Sequence, residues 1–184
     1  MKKLLFLGVL AIILVSCSQK NEINEEINIE LEAAMLKAQK KSIYILIGAN
    51  QPNSKVTYST VSNNTLYMNY SADGWGGEIS MQNMDNVSFL NNIIHSRSNI
   101  SVIASSGYTS TNLTFDYNRY FTLSGSDTDI IFDWGGNTGM TYLTLASYRA
   151  ATGLDANSTY GDPGFLSATL PNPDLHLNKY VSMY

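Results

Sequence analysis

Three asparagines, Asn64, Asn92 and Asn118, stand 28 and 26 residues apart, and apolar residues ahead of them keep the same step. Laying Asn92 on Asn118 also lays Val87 on Leu113 and Phe89 on Phe115. A step in the twenties suits a chain wound in successive turns, each supplying two or three short strands to stacked sheets. Asparagine belongs at the corners of such a winding, because it tolerates left-handed backbone and bonds to its own chain. Stacked turns would set the three amides above one another as a ladder. A sandwich or barrel also gives short strands and frequent turns. The asparagine placement favours the winding.

Composition agrees with a strand-rich chain. Charged residues are only 14% of the whole, and Asn, Ser, Thr, Gly and Tyr fill the polar positions. Asn63, Asn86, Asn99, Asn112 and Asn157 each open an Asn-x-Ser/Thr triplet, read here as turn chemistry rather than glycosylation. Ile43 to Ile47 reads as a strand stopped by Gly48. Ahead of it, Ile27, Leu31, Ala34, Met35 and Ala38 form one apolar stripe, which predicts a helix over 27–41. Glu25, Glu26, Glu30 and Glu32 crowd its start and Lys37, Lys40 and Lys41 its end, both complementing the helix dipole.

The N-terminus carries a different signal. Lys2 and Lys3 precede an apolar run from Leu4 to Val15, a secretory-signal layout too short to span a membrane. The ending Leu14-Val15-Ser16-Cys17 resembles the lipobox of bacterial lipoprotein signals, which implies that Cys17 is acylated and becomes the first residue. Acyl chains contribute about 0.8 kcal/mol per buried methylene, enough for several of them to anchor a protein stably. The organisation expected is a signal peptide at 1–16, an acidic tether at 17–26 and a folded domain at 27–184. The location expected is the bacterial cell envelope, lipid-anchored to the outer membrane with a periplasmic or surface face. Cys17 is the sole cysteine, so no internal disulfide is available. Without Lys2 and Lys3 the chain has nine basic against fifteen acidic side chains, a balance that argues against nucleic acid as a partner.

The C-terminal third carries a family likeness. Phe115-Asp116-Tyr117-Asn118-Arg119-Tyr120-Phe121, the segment Leu143 to Ser158, Asp162-Pro163-Gly164-Phe165 and Asp174-Leu175-His176-Leu177 follow one another over about 65 residues. In that order they resemble the closing coils of bacterial right-handed parallel β-helix proteins of the pectin-lyase-like class. The resemblance implies an all-β solenoid with a capping helix at 27–41, strands and coils over 42–134 and a C-terminal cap over 135–184. Only three or four coils fit, fewer than such proteins commonly have. Within the cap, Thr144 as N-cap and Gly153 as stop predict a helix over Leu145–Thr152, and Asp162-Pro163-Gly164 predicts a turn.

Catalytic chemistry is hard to find. Lyases of this class use a Lys or Arg base, often with Ca²⁺, but Lys55, Arg97, Arg119, Arg149 and Lys179 are scattered and read as isolated surface charges. Hydrolases need paired carboxylates. The densest acidic group is Asp127, Asp129 and Asp133, of which Asp127 and Asp129 are weak Ca²⁺ candidates lacking the spacing of a calcium loop. Solvated loop acids are the simpler reading, and no other cofactor is expected. His95 and His176 read as solvent-side strand residues. No catalytic residue is assigned. Trp75 and Trp134 each sit among glycines, and with Tyr70 they are candidate glycan-stacking residues; the competing reading places each Trp as a plug over the core. The function expected is a lipid-anchored, non-catalytic β-helix that binds polysaccharide or presents an interaction surface. The alternatives are a polysaccharide lyase or glycosidase, and an inactive remnant of a longer relative.

Overall fold

Asn64, Asn92 and Asn118 do stand above one another. Oδ1 of Asn92 accepts both the backbone N–H and the side-chain amide of Asn64, each at 3.1 Å. Oδ1 of Asn118 accepts the same pair from Asn92 at 3.0 and 3.1 Å. Asn92 and Asn118 are 1% exposed. This ladder comes from a computed structural model that describes residues 45–48, 51, 53–69, 76–169 and 172–178, all within the unit 39–184. The expected signal, tether and helix over 27–41 lie outside the described residues, and so does Cys17.

The strands on either side of the ladder repeat in threes. They are β1 (Ile45–Gly48), β2 (Val56–Ser62), β3 (Thr65–Tyr67), β4 (Gly77–Gln82), β5 (Met84–Leu90), β6 (Ile93–Ser96), β7 (Ser101–Ser105), β8 (Thr114–Asp116) and β9 (Arg119–Thr122). After them come β10 (Phe132–Trp134), β11 (Met140–Tyr142), β12 (Thr159–Tyr160), β13 (Phe165–Ser167) and β14 (Asp174–Leu177). From β1 to β10 the parallel pairings all join a strand to the one three before or three after it, with β8 the last of its sheet. The sheets run β1-β4-β7-β10, β2-β5-β8 and β3-β6-β9-β12. Two antiparallel additions complete the set: β11 folds back on β10, and β13 pairs with β14. The architecture is thus mostly strand in parallel sheets, compatible with a β-helix-like fold.

Register follows the sequence step. Val61 pairs with Phe89, and Phe89 with Phe115. The two Phe rings stack with centroids 4.4 Å apart and planes 12° from parallel. In the third sheet Leu66 pairs with Ile94 and Ile94 with Tyr120. Every one of these faces the same core, together with Ile79, Met81, Met84, Ile103 and Phe132. Alternate strand residues point to opposite faces, so one set of apolar side chains from each sheet converges inside.

Left-handed positions account for much of the asparagine content, at corners and, for Asn86, inside β5. Asn63, Asn86, Asn99 and Asn112 all have positive φ, between 50° and 62°. Four of the five triplets therefore open at a left-handed residue, where asparagine is far cheaper than a branched side chain.

At the C-terminal end, the helix Leu145–Thr152 forms as its ends predict. Thr144 Oγ1 accepts the Ser147 N–H at 3.0 Å, and Gly153 at φ 72° closes the last turn through its N–H to Arg149 O. The helix brings fully buried Tyr148 onto Phe132, ring on ring at 4.2 Å. The ladder ends close by, where Asn118 Nδ2 donates to Asp155 Oδ1 at 3.1 Å. Asp155 is fully buried, accepts from Tyr120 Oη at 3.1 Å and is bonded by Ser158. Its burial pushes its pKa up, against the pull of those three donors.

Candidate functional site

Trp134 closes β10 and points into the core. It is 3% exposed, edge-on to Phe115 at 6.0 Å and to Tyr148 at 5.2 Å. The glycines after it have a different task from presenting the ring. A Cβ on Gly136 would stand 2.8 Å from the carbonyl carbon of Ser106, so the short helix Gly135–Thr138 can lie against that backbone only without one. Trp134 therefore offers no face to a sugar, and of its two sequence readings the structure takes the core plug. Trp75 and Tyr70 lie outside the described residues.

Asp127 and Asp129 are exposed in a 3-10 turn, Asp127–Asp129, whose N-cap Ser126 accepts the Thr128 N–H at 3.3 Å. Asp133 is engaged elsewhere, accepting the Gly135 N–H at 3.0 Å. Among the described residues no three His, Cys, Asp or Glu side chains gather as a metal site would need.

The arginines are not the isolated surface charges the sequence suggests. Arg97, Arg119 and Arg149 are each half-buried and each donates to backbone carbonyls. Arg97 Nε reaches Met68 O at 2.9 Å. Arg119 Nη2 reaches Asp162 O at 2.8 Å. Arg149 spans two carbonyls, Asp155 O at 2.8 Å through Nε and Ser158 O at 2.6 Å through Nη2. A guanidinium carries five donors in a fixed fork, which suits it to tying loop carbonyls together.

One buried ionisable residue, Glu78, went unread in the sequence, and another, His95, was placed on the wrong side of the surface. Glu78 alternates with inward-facing Ile79 on β4, so it lies on the outer face, yet it is fully buried. Its Oε2 accepts from Asn69 Nδ2 at 2.6 Å, while Oε1 has no hydrogen-bond partner among the described residues. Burial raises its pKa to about 8, against the opposing pull of the Asn69 bonds and the Arg97 charge. A strand glutamate next to a buried isoleucine gives no local cue to this.

His95 corrects the expectation of a solvent-side residue. It does sit on the outer face of its sheet, in one column with Tyr67 and Phe121. The antiparallel pair β13–β14 supplies Phe165 over that column, and His95 is only 4% exposed. Its ring is edge-on to Tyr67 at 4.9 Å and to Phe121 at 5.0 Å, and neither nitrogen has a partner among the described residues. Burial lowers its pKa to about 4, only partly offset by Asp162, so the ring is neutral at neutral pH. His176 is exposed as expected, with its Nδ1 2.5 Å from Asp174 Oδ1, a contact that holds the Asp174 carboxyl below its usual range.

These groups are a buried acid, a buried neutral imidazole and three braced guanidinium groups. Among the described residues the arginines are held by backbone carbonyls, His95 by ring contacts and Glu78 by the Asn69 side chain. No family model matches the chain, and neither a curated protein nor a solved structure shows significant similarity to it.

Proposed function

We propose that this chain is a short right-handed parallel β-helix of the pectin-lyase-like kind, a lipoprotein held to the bacterial cell envelope through Cys17. On this reading it works as a non-catalytic carbohydrate-binding or interaction scaffold. Support for the β-helix comes from the parallel pairing of strands three apart, and from the asparagine ladder between the second and third sheets. The observation that carries the non-catalytic reading is the state of the arginines. A lyase base must be free to take a proton from substrate, whereas Arg97, Arg119 and Arg149 are committed to backbone carbonyls.

The anchor rests on the sequence around Cys17 and is tested separately. Cells expressing the full chain are fed an alkyne fatty acid, and the protein is examined for label alongside a Cys17→Ser variant. Label in the parent and its loss in the variant are expected. Equal label in both, or none in the parent, rules out the anchor. Incubating the purified full chain with polygalacturonate tests the rest. Accumulation of unsaturated uronate products would replace the scaffold with a lyase.

A further inference from the structure

Two columns of left-handed residues run across the sheet β2-β5-β8 near its two ends. Near one end, Tyr58, Asn86 and Asn112 have φ of 52°, 53° and 50°. Near the other, Asn63, Asn91 and Tyr117 have φ of 58°, 56° and 57°. Strand register places the members of each column directly above one another. Four of these six positions are asparagine, the residue that bears this backbone at least cost after glycine. The other two are tyrosine, which gains nothing local in return for a left-handed strain of about 1–2 kcal/mol.

Packing does not offset that strain. Tyr58 is 82% exposed and Tyr117 61%. Neither ring meets another aromatic ring among the described residues. A strained, solvent-facing aromatic is reason to look for a use outside the fold. The two rings stand at opposite ends of a diagonal across the outer face. They are two strand spacings apart in one direction and about five residues in the other, roughly 18 Å in all.

Between them lies a row of hydrogen-bonding side chains. Thr60, Ser88 and Thr114 align in one column across the three strands. Beside them, Asp85 accepts from Thr111 Oγ1 at 2.7 Å and Asn112 Nδ2 at 2.8 Å, bonds that lower its pKa. Asp116, at the far end, is also held ionised: burial opposes this, but bonds from Asn157 and Tyr117 outweigh it. The charges of Lys55 beside Asp85 and Arg149 beside Asp116 balance the two carboxylates, and the row offers hydrogen bonds to uncharged hydroxyl groups.

We propose that the outer face of β2-β5-β8 binds a neutral oligosaccharide, laid diagonally with Tyr58 and Tyr117 stacking on its end sugars. The inference rests on reading the chain as a binding scaffold, and it adds the face, the two aromatic anchors and the charge class of the ligand.

The test titrates the full chain, in detergent, by calorimetry with hexasaccharides of glucose, xylose and mannose and with a hexagalacturonate of the same length. Tyr58→Asn and Tyr117→Asn place in each column the residue its other members already carry, so folding is preserved. The expected result is binding of at least one neutral hexasaccharide, no measurable binding of the hexagalacturonate, and affinity at least about tenfold weaker in each variant. The melting temperature of both variants is expected to stay level or rise. Neutral binding that both variants retain overturns this site and leaves the scaffold reading standing. Preference for hexagalacturonate, or a melting temperature lowered in both variants, also overturns it. Binding of none of the four sugars overturns the site and the glycan branch of the scaffold reading together.

Discussion

The side-chain amide of Asn92 donates to Oδ1 of Asn118 at 3.1 Å, and the same oxygen accepts the Asn92 backbone N–H at 3.0 Å. Asn92 passes the pattern on, since its own Oδ1 takes both donors of Asn64 and its second amide proton goes to Val61 O at 3.0 Å. All four hydrogen-bonding positions of this buried amide are thus filled. Removing Asn92 strands Oδ1 of Asn118 in a buried site and leaves the more exposed Asn64 without its acceptor.

Asn92→Ala is therefore expected to lower unfolding free energy by about 2–4 kcal/mol, the range for stranding buried partners. Urea denaturation followed by circular dichroism measures it. Asn92→Asp should be worse at neutral pH, because it aims a carboxylate at Val61 O and Asn118 Oδ1, and it should recover in part as the acid is protonated. A loss below about 1 kcal/mol for the alanine variant would mean that the ladder is not holding the turns together.

Tyr148 is the second point of leverage. It stacks on Phe132 with planes 4° from parallel and lies edge-on to Trp134. Tyr148→Ala opens a void where the helix Leu145–Thr152 meets the core, and a loss of about 3–5 kcal/mol is expected, as for other large buried aromatics. Near-ultraviolet circular dichroism should weaken as well, since Trp134 loses a fixed neighbour.

Arg149 offers a test of bracing against charge. Its fork spans Asp155 O and Ser158 O, which a lysine ammonium cannot reach in the same geometry. Arg149→Lys keeps the charge and is still expected to cost about 1–3 kcal/mol. Stability equal to that of the parent would reduce Arg149 to a simple surface charge.

Stability should also depend on pH with two opposed slopes. Glu78 keeps its proton in the folded chain up to about pH 8, while the unfolded chain releases it near the ordinary value of 4.5. Across that window the folded state binds more protons, so stability falls as pH rises. His95 works the other way. The unfolded chain takes up a proton below 6.5, but the folded chain resists until about 4, so stability falls as pH drops. Glu78→Gln should remove the first slope and leave the second, and urea midpoints from about pH 5 to pH 8 would separate them. An unchanged slope in the variant would show that Glu78 is not the group responsible.

The ladder and the helix Leu145–Thr152 were legible because their signals are local or periodic. Asparagines recur at a fixed step, and Thr144 and Gly153 mark two ends of one short segment. The corners at Asn63, Asn99 and Asn112 were legible for the same reason, since asparagine satisfies a backbone need that few residues meet, whereas Asn86 has the same left-handed φ inside β5 rather than at a turn. His95 was misread because strand alternation gives its face but not what covers that face; Phe165 arrives from 70 residues downstream. The first sheet was harder to align because its steps vary: Ile45 pairs with Ile79, Ile79 with Ile103 and Ile103 with Phe132. Loops of different length separate those strands, and no side chain marks the step as asparagine does at the ladder. Tyr58 and Tyr117 hid most completely, since propensity assigns tyrosine to extended strand and only the asparagines stacked on them disclose the left-handed backbone.

One measurement bears on binding without catalysis more directly than any other. The full chain is incubated with a panel of neutral and acidic polysaccharides, and each mixture is resolved by size-exclusion chromatography with detection of both protein and sugar. The account predicts that protein co-elutes with a neutral polysaccharide whose length distribution does not change. Shortened chains, or protein that co-elutes with none of the panel, would contradict it.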